Sequence, residues 1–429
     1  MYAGLDFGTS NSAIGIWDKG APQLLRLDQQ SRFISSTMFV HKSESFLDLR
    51  PEEQTLHRAL TGLSDCAYGK IAIEQFLAAP DEGFFVKSPK SFLGARLKPQ
   101  QLSMYERIVL KMIQNIKQLA ETQTASPIRQ IVIGKPVKFH GTQGDVGNQQ
   151  AISVLTNAAK AAGFTDVEFQ FEPIAAALDY ERTLTKNLTA LIVDIGGGTT
   201  DCSMIHLGPE HALKSERNNT ILGYSGDRVG GLDLDIRLAY KHFAPLFGKD
   251  ELLKNGLPTP AMLFWNAVCI NNIDAQTTFY AASTGREIEK LLRETKSDSV
   301  FERLLQIFEE NLSYQISQTA EMSKIQLSDQ PVIDVPFDYL ERDLNLSLTL
   351  EEFGSAIQQE LDKFIELMKE VETQAAVIPD VIYVTGGTAR SPVVEAAIRT
   401  AFPHSDIVFG DLFGSVSAGL TTWAHRIFS

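Results

Sequence analysis

One local pattern occurs twice in the chain, about 190 residues apart, and it limits the fold more than any other feature. The first copy runs from Ala3 through Gly4, Leu5, Asp6, Phe7, Gly8, Thr9, Ser10 and Asn11 to Ser12, then into the alternating segment Ala13 to Trp17. The second runs from Ala190 through Asp194, Gly196, Gly197, Gly198, Thr199 and Thr200 to Asp201, then into Cys202 to Ile205. Each reads as an apolar strand, an aspartate, a glycine turn with hydroxyl residues, and a second strand: a β-hairpin whose turn carries an acid. A spacing this long predicts duplicated lobes rather than a short-period solenoid.

Helical and strand patterns alternate along the rest of the chain. Gln130 to Gly134 is a buried-type strand ending in Lys135 and Pro136. Gln149 to Ala162 has helical spacing and stops at Gly163, and Pro173 in a first helical turn opens a helix over 174–180. Arg286 to Ser328 is mostly amphipathic helix, Val381 to Gly387 is a strand entering a glycine turn, and Ser391-Pro392 starts another helix. Strands alternating with helices predict an α/β class.

Composition removes several functions. The chain has 429 residues, with 53 acidic against 39 basic, a net charge of −14. No Lys/Arg cluster offers the basic patch that displaces counterions from phosphate, so a nucleic-acid partner is not expected. No run of about 18 apolar residues would span a membrane. The N-terminal sequence lacks a secretory pattern, and Cys66, Cys202 and Cys269 are too scattered for a disulfide framework or a cysteine zinc site. The expected location is a reducing cytoplasm. The eight histidines are dispersed and form no HExxH.

The glycine turns carry the chemistry. Only glycine lets backbone N–H groups approach phosphate so closely. A carboxylate beside such a turn suits hydrated Mg²⁺, which neutralises the phosphates. Either turn alone has a plainer reading as an ordinary hairpin turn; the pair on a duplicated scaffold points to nucleotide. No GxxxxGK[ST] and no GxGxxG occurs, which argues against a P-loop or dinucleotide fold.

In order along the chain, these motifs resemble the actin, sugar-kinase and heat-shock ATPase superfamily, and within it the 70-kDa heat-shock (DnaK-type) chaperones. GLDFGTSNS at 4–12 and VDIGGGTTD at 193–201 match that family's two phosphate loops. Phe171 to Leu178 matches its lobe-connecting helix, and Gly226 to Asp235 its loop after the second hairpin. Ala320 to Ser328 resembles its adenosine-contacting helix, Val384 to Pro392 its purine loop, and Ser415 to Leu420 its second connecting helix. Val86 to Gly94 and Gly410 to Ala418 are most similar to the short bacterial YegD-like branch.

The resemblance implies a bilobal actin-like α/β fold with duplicated ribonuclease H-like lobes and Mg²⁺ with ATP or ADP in the interlobe cleft. It places Lys90 at the catalytic lysine, with Lys87 as a nearby decoy. Glu172 would bridge the lobes and touch the metal's water shell. Thr199 and Asp201 would orient water near the γ-phosphate, Asp194 counts with them among the catalytic residues, and Asp6, Asp194 and Glu172 would hold Mg²⁺ mainly through water. The implied nucleotide contacts are Gly8, Thr9, Ser10, Asn11, Gly196, Gly197, Gly198, Thr199, Gly230, Gly231, Glu321, Lys324, Ser328, Gly386, Gly387, Arg390 and Asp411. Each has a plainer reading beside it: a surface lysine, an acid favoured at a helix N-terminus, a simple turn, a solvated helix face.

The implied lobes are 1–188 plus 406–429, with an inserted subdomain over about 38–124, and 189–405, with an inserted subdomain over about 232–348. Departures from the family also matter. The family's interlobe arginine is Gln149 here, its switch proline is matched by Pro136, and 258–280 reads as an insertion. The chain runs to Ser429 directly after the connecting helix, so no peptide-binding domain is expected. The expected function is an ATP-binding, ATP-hydrolysing, chaperone-like protein with an unidentified protein partner or co-chaperone. A small-molecule kinase of the same fold, a non-catalytic nucleotide sensor and an actin-like filament former remain as rivals. The expected outcome of an anisotropy assay with a labelled extended hydrophobic peptide is no ATP-controlled release; tight binding that ATP weakens would overturn it.

Overall fold

A computed structural model describes residues 1–28, 31–42, 56–61, 65–79, 82–137, 139, 144–212, 220–295, 298–411 and 414–429. Strands β1 (Tyr2–Phe7), β2 (Asn11–Asp18) and β3 (Ala21–Leu24) form an antiparallel meander, and the short β4 (Ile34–Ser35) pairs with the start of β2. A separate antiparallel sheet holds β5 (Thr37–His41), β6 (Cys66–Tyr68) and β7 (Gly83–Lys87), with β5 central. The chain then returns to the first sheet through β8 (Gln130–Lys135) and β9 (Asp166–Phe171), both parallel additions beside β1.

The second pattern repeats this plan. Strands β10 (Leu188–Ile195), β11 (Thr200–Leu207) and β12 (Ile221–Asp227) form an antiparallel meander. After a separate hairpin of β13 (Val332–Pro336) and β14 (Asn345–Thr349), the strands β15 (Val381–Thr385) and β16 (Asp406–Phe409) add in parallel beside β10. The two sheets therefore share one order, β3-β2-β1-β8-β9 and β12-β11-β10-β15-β16. The echo in the sequence is a duplicated topology. Strands β8, β10 and β15 read as unbroken apolar runs because parallel strands are covered on both faces; Ile131 to Ile133, Ala190 to Val193 and Val381 to Val384 are all buried.

Six helices matter below: α1 (Pro99–Thr124), α2 (Asp145–Ala161), α3 (Glu172–Glu181), α4 (Gly231–Leu238), α5 (Ser313–Leu327) and α6 (Ser415–Phe428). Helix α2 ends where Gly163 takes φ +92°, a conformation glycine reaches without strain. The stretch read as mostly amphipathic helix, 286–328, lies in three helices, Ala282–Glu294, Asp298–Glu309 and Ser313–Leu327, with Asn311 at φ +57° separating the last two. The segment 258–280 forms two short helices, Ala261–Val268 and Ile273–Phe279.

The chain forms two compact units: residues 1–230 with 364–389 and 398–429, and residues 231–363 with 390–397. Both duplicated sheets lie in the first; α4, α5 and the β13–β14 hairpin lie in the second. The first unit's core joins Val132, Ile192, Ile205, Val416 and Leu420 to the alanines Ala175, Ala176 and Ala177 of α3. Those small residues let α6 approach α3 closely. Cys66, Cys202 and Cys269 are not disulfide-bonded, and among the described residues no helix is long and apolar enough to cross a membrane.

A methyl group at Gly419 would fall 1.7 Å from the Ala175 carbonyl oxygen, so α6 can meet α3 only with glycine there. Gly419→Ala is expected to cost about 2–3 kcal/mol, the upper part of the usual overpacking range. Urea unfolding with an unchanged midpoint would contradict this.

Candidate functional site

The duplicated hairpins place an aspartate at the end of each leading strand. Asp6 pairs in register with Ala13, and Asp194 with Asp201. The β1–β2 turn and the β10–β11 turn, both in the first unit, then meet. A Cβ at Gly197 would lie 1.9 Å from Ser10 Oγ, and one at Gly198 would lie 2.9 Å from Thr9 Cγ2. Gly230 closes over the second turn, 2.7 Å from the Gly198 nitrogen by the same measure. Gly386, at φ +88°, sits against the Ile195 carbonyl and the Asp194 carboxylate. Bulk at Gly197 would thus strike the other turn, a tighter constraint than the sequence implied.

Lys90 reaches the same place from a different element. Ser88, in the left-handed region at φ +56°, turns β7 into a one-turn helix, Pro89–Phe92, and points the chain back inward. Lys90 Nζ lies 2.5 Å from Glu172 Oε1, and both residues are buried. Glu172 is the first residue of α3, with Pro173 behind it, and Gly134 leaves room for its side chain. Lys87 ends β7 opposite Thr37.

Electrostatics tie these groups together. Burial first, then the Glu172 charge, pushes Asp6 up to about 7, with Lys90 opposing. Asp201 is also pushed up to about 7 by burial and Glu172, against the Val137 amide and Lys90. Asp194 is held well above the ordinary carboxylate value by burial, Glu172, Asp201 and Asp6. Burial disfavours the Lys90 charge, yet Glu172, Asp6 and Asp201 more than offset it and raise its pKa. Three buried acids, Glu172, Asp194 and Asp201, and the half-buried Asp6 surround one ammonium, so the site lacks positive charge.

That deficit fits a hard cation. Asp201 Oδ1 accepts the Val137 N–H at 2.6 Å, while Oδ2 is buried without a hydrogen-bond partner. An all-oxygen donor set suits Mg²⁺, and the glycine crowding leaves a backbone-lined surface suited to phosphate. Among the described residues no three His, Cys, Asp or Glu side chains converge to hold a bare ion. The carboxylates that would face such a cation are Asp6, Asp194 and Glu172.

The other expected contacts are divided between the two units. Glu321 and Lys324 lie on α5 and Ser328 at its C-terminal cap, with Gly231 starting α4, all in the second unit. Lys324 is occupied: its Nζ lies 2.7 Å from the buried Asp235 carboxylate and donates to the Gly231 carbonyl. Arg390, in the same unit, is exposed, with Asp329 4.0 Å away. Gly387 begins a short helical turn whose Thr388 hydroxyl donates to the Gly196 carbonyl. Asp411 sits at the start of α6, its carbonyl accepting from Ser415 and its charge facing Asp179 and Tyr383. Leu412 and Phe413, inside the matched run 410–418, lie outside the described residues. Sequence reasoning missed Ser36, Ser91 and Val137. Ser91 Oγ lies near Gly198, and its only signal was adjacency to Lys90.

A family model described as MreB/Mbl protein matches residues 101–217. With the paired sheets and glycine turns, it defines the fold as that of the actin-like ATPases. The chain is also similar to the chaperone protein DnaK of Buchnera aphidicola subsp. Schizaphis graminum (strain Sg). The two are 24% identical over 428 residues, covering 94% of this chain and 56% of that protein. The chain thus spans little more than half the length of the curated relative it matches.

Asp6 and Asp201 bind protons more tightly folded than unfolded, where the ordinary value is 3.8. The stability they contribute is complete below about pH 4 and is lost as pH rises through about 7. Asp201→Asn keeps the acceptor for Val137 and removes the charge. It should stabilise the nucleotide-free protein at pH 8 by about 1–3 kcal/mol and flatten the decline between pH 4 and 7. Denaturant melts at pH 4.5 and 8 check this; equal loss of stability at both would refute it.

Proposed function

We propose that this protein is a Mg²⁺-dependent ATPase resembling the nucleotide-binding part of DnaK-type chaperones. One observation carries the reading: the buried Lys90–Glu172 pair set among Asp6, Asp194 and Asp201 where two glycine turns meet. The glycine turns supply backbone donors for the phosphates. Lys90, held by Glu172 on its rigid turn, presents a fixed positive charge where negative charge develops, and preorganised charge of this kind accelerates phosphoryl transfer. Asp201, with one oxygen tied to Val137 and the other unpartnered, can orient an attacking water and accept its proton at a pKa near neutrality. Bound Mg²⁺ would supply charge neutralisation across the phosphates.

The finer assignments rest on the sequence resemblance. They are the YegD-like branch, lobes of 1–188 with 406–429 and 189–405, a cytoplasmic location, a protein partner, and adenosine contacts by Glu321, Ser328 and Arg390. Lys324 is better read as a brace for α4 through Asp235.

Lys90→Ala should bind ATP within about tenfold of wild type, roughly 1.4 kcal/mol, because the backbone and cation still hold the ground state. Single-turnover hydrolysis should fall by roughly 10²-fold or more. Lys87→Ala should hydrolyse as wild type does. Indistinguishable variants would refute the role of Lys90, and phosphate transfer to an added small acceptor would favour the kinase.

A further inference from the structure

Ser36 follows β4 and precedes β5, and it is 1% exposed. Its side chain and backbone are both engaged. The N–H donates to the Ser10 carbonyl at 2.8 Å, and the hydroxyl donates to the Gly8 carbonyl at 2.7 Å. The hydroxyl also lies 3.1 Å from Ser12 Oγ. The Ser36 carbonyl accepts the Ser88 N–H at 2.9 Å. One residue therefore grips the first glycine turn on one side and, on the other, the left-handed residue that sets the Lys90 turn. Ser91 N–H and Leu93 N–H close that turn on the Ser88 and Lys90 carbonyls.

The backbone bonds of Ser36 are available to any residue except, at the N–H, proline; the hydroxyl bond is not. A trans peptide is planar, with its C=O and N–H opposed. Drawing the Gly8 carbonyl toward Ser36 therefore points the Thr9 N–H the other way. Without the hydroxyl, a carbonyl beside a glycine loses the bond that fixes its plane, and glycine offers little resistance to rotation. The register between turn donors and the Lys90 ammonium would then loosen, and small misplacements of catalytic groups are costly.

We propose that Ser36 is a positioning residue that locks the Gly8–Thr9 peptide and the Lys90 turn into one geometry for phosphoryl transfer. This rests on the ATPase reading above. The test is single-turnover hydrolysis at saturating Mg²⁺-ATP for wild type, Ser36→Ala, Ser36→Thr, Lys90→Ala and the Ser36→Ala/Lys90→Ala double variant, with melting midpoints in parallel. Ser36→Ala should slow hydrolysis about 10–100-fold at temperatures well below its midpoint. Ser36→Thr, which keeps the hydroxyl, should recover most of the rate; should the added methyl unfold it, Ser36→Cys, a nearly isosteric weak donor, should be intermediate. In the Lys90→Ala background the further loss should be under about threefold, because groups acting as a unit are not additive. A wild-type rate for Ser36→Ala, or its full loss repeated without Lys90, overturns the proposal. Wild type that binds ATP and never hydrolyses it overturns the ATPase reading, and this proposal with it.

Discussion

The site depends on a charge imbalance. Lys90 is the ammonium buried beside Glu172 and faces three further acids, Asp6, Asp194 and Asp201, whose pKa values burial first and then the Glu172 charge raise despite it. Burying carboxylates is expensive, and a chain selected for stability alone would replace them with well-packed apolar residues. Their retention around two glycine turns makes sense if a cation and phosphates complete the arrangement. Loss of Lys90 would leave the acids worse off, whereas loss of one acid charge relieves the others, so the charges of the cluster are coupled.

The surrounding fold serves to hold those charges still. Each aspartate ends a leading strand whose parallel neighbour, β8 or β15, is buried on both faces. Gly419 and the alanines of α3 allow α6 to seal the core directly behind Glu172. Rigid elements therefore carry Asp6, Asp194 and Glu172. Lys90 arrives on a short turn instead, which is why its anchor through Ser88 and Ser36 matters.

Much of this was legible in the sequence. The echo around Asp6 and Asp194 gave the duplicated sheets, because strand–acid–glycine patterning is local and its physics travels with the residues. Pro173 marked the start of α3, and Lys90 rather than Lys87 meets Glu172. Tertiary partners were not legible. Ser36 and Val137 act through backbone groups and side-chain reach that no spacing encodes. The Lys324–Asp235 pair was not legible either, because the two residues are distant in sequence.

The central claim is that buried acids and glycine turns form a cation-dependent site for nucleotide phosphates. Isothermal titration of ATP into the full chain, once with Mg²⁺ and once with EDTA, tests it most directly. The account predicts one saturable site with Mg²⁺ and at least tenfold weaker binding, about 1.4 kcal/mol, with the chelator. Equal affinity in both, or no binding in either, would contradict it.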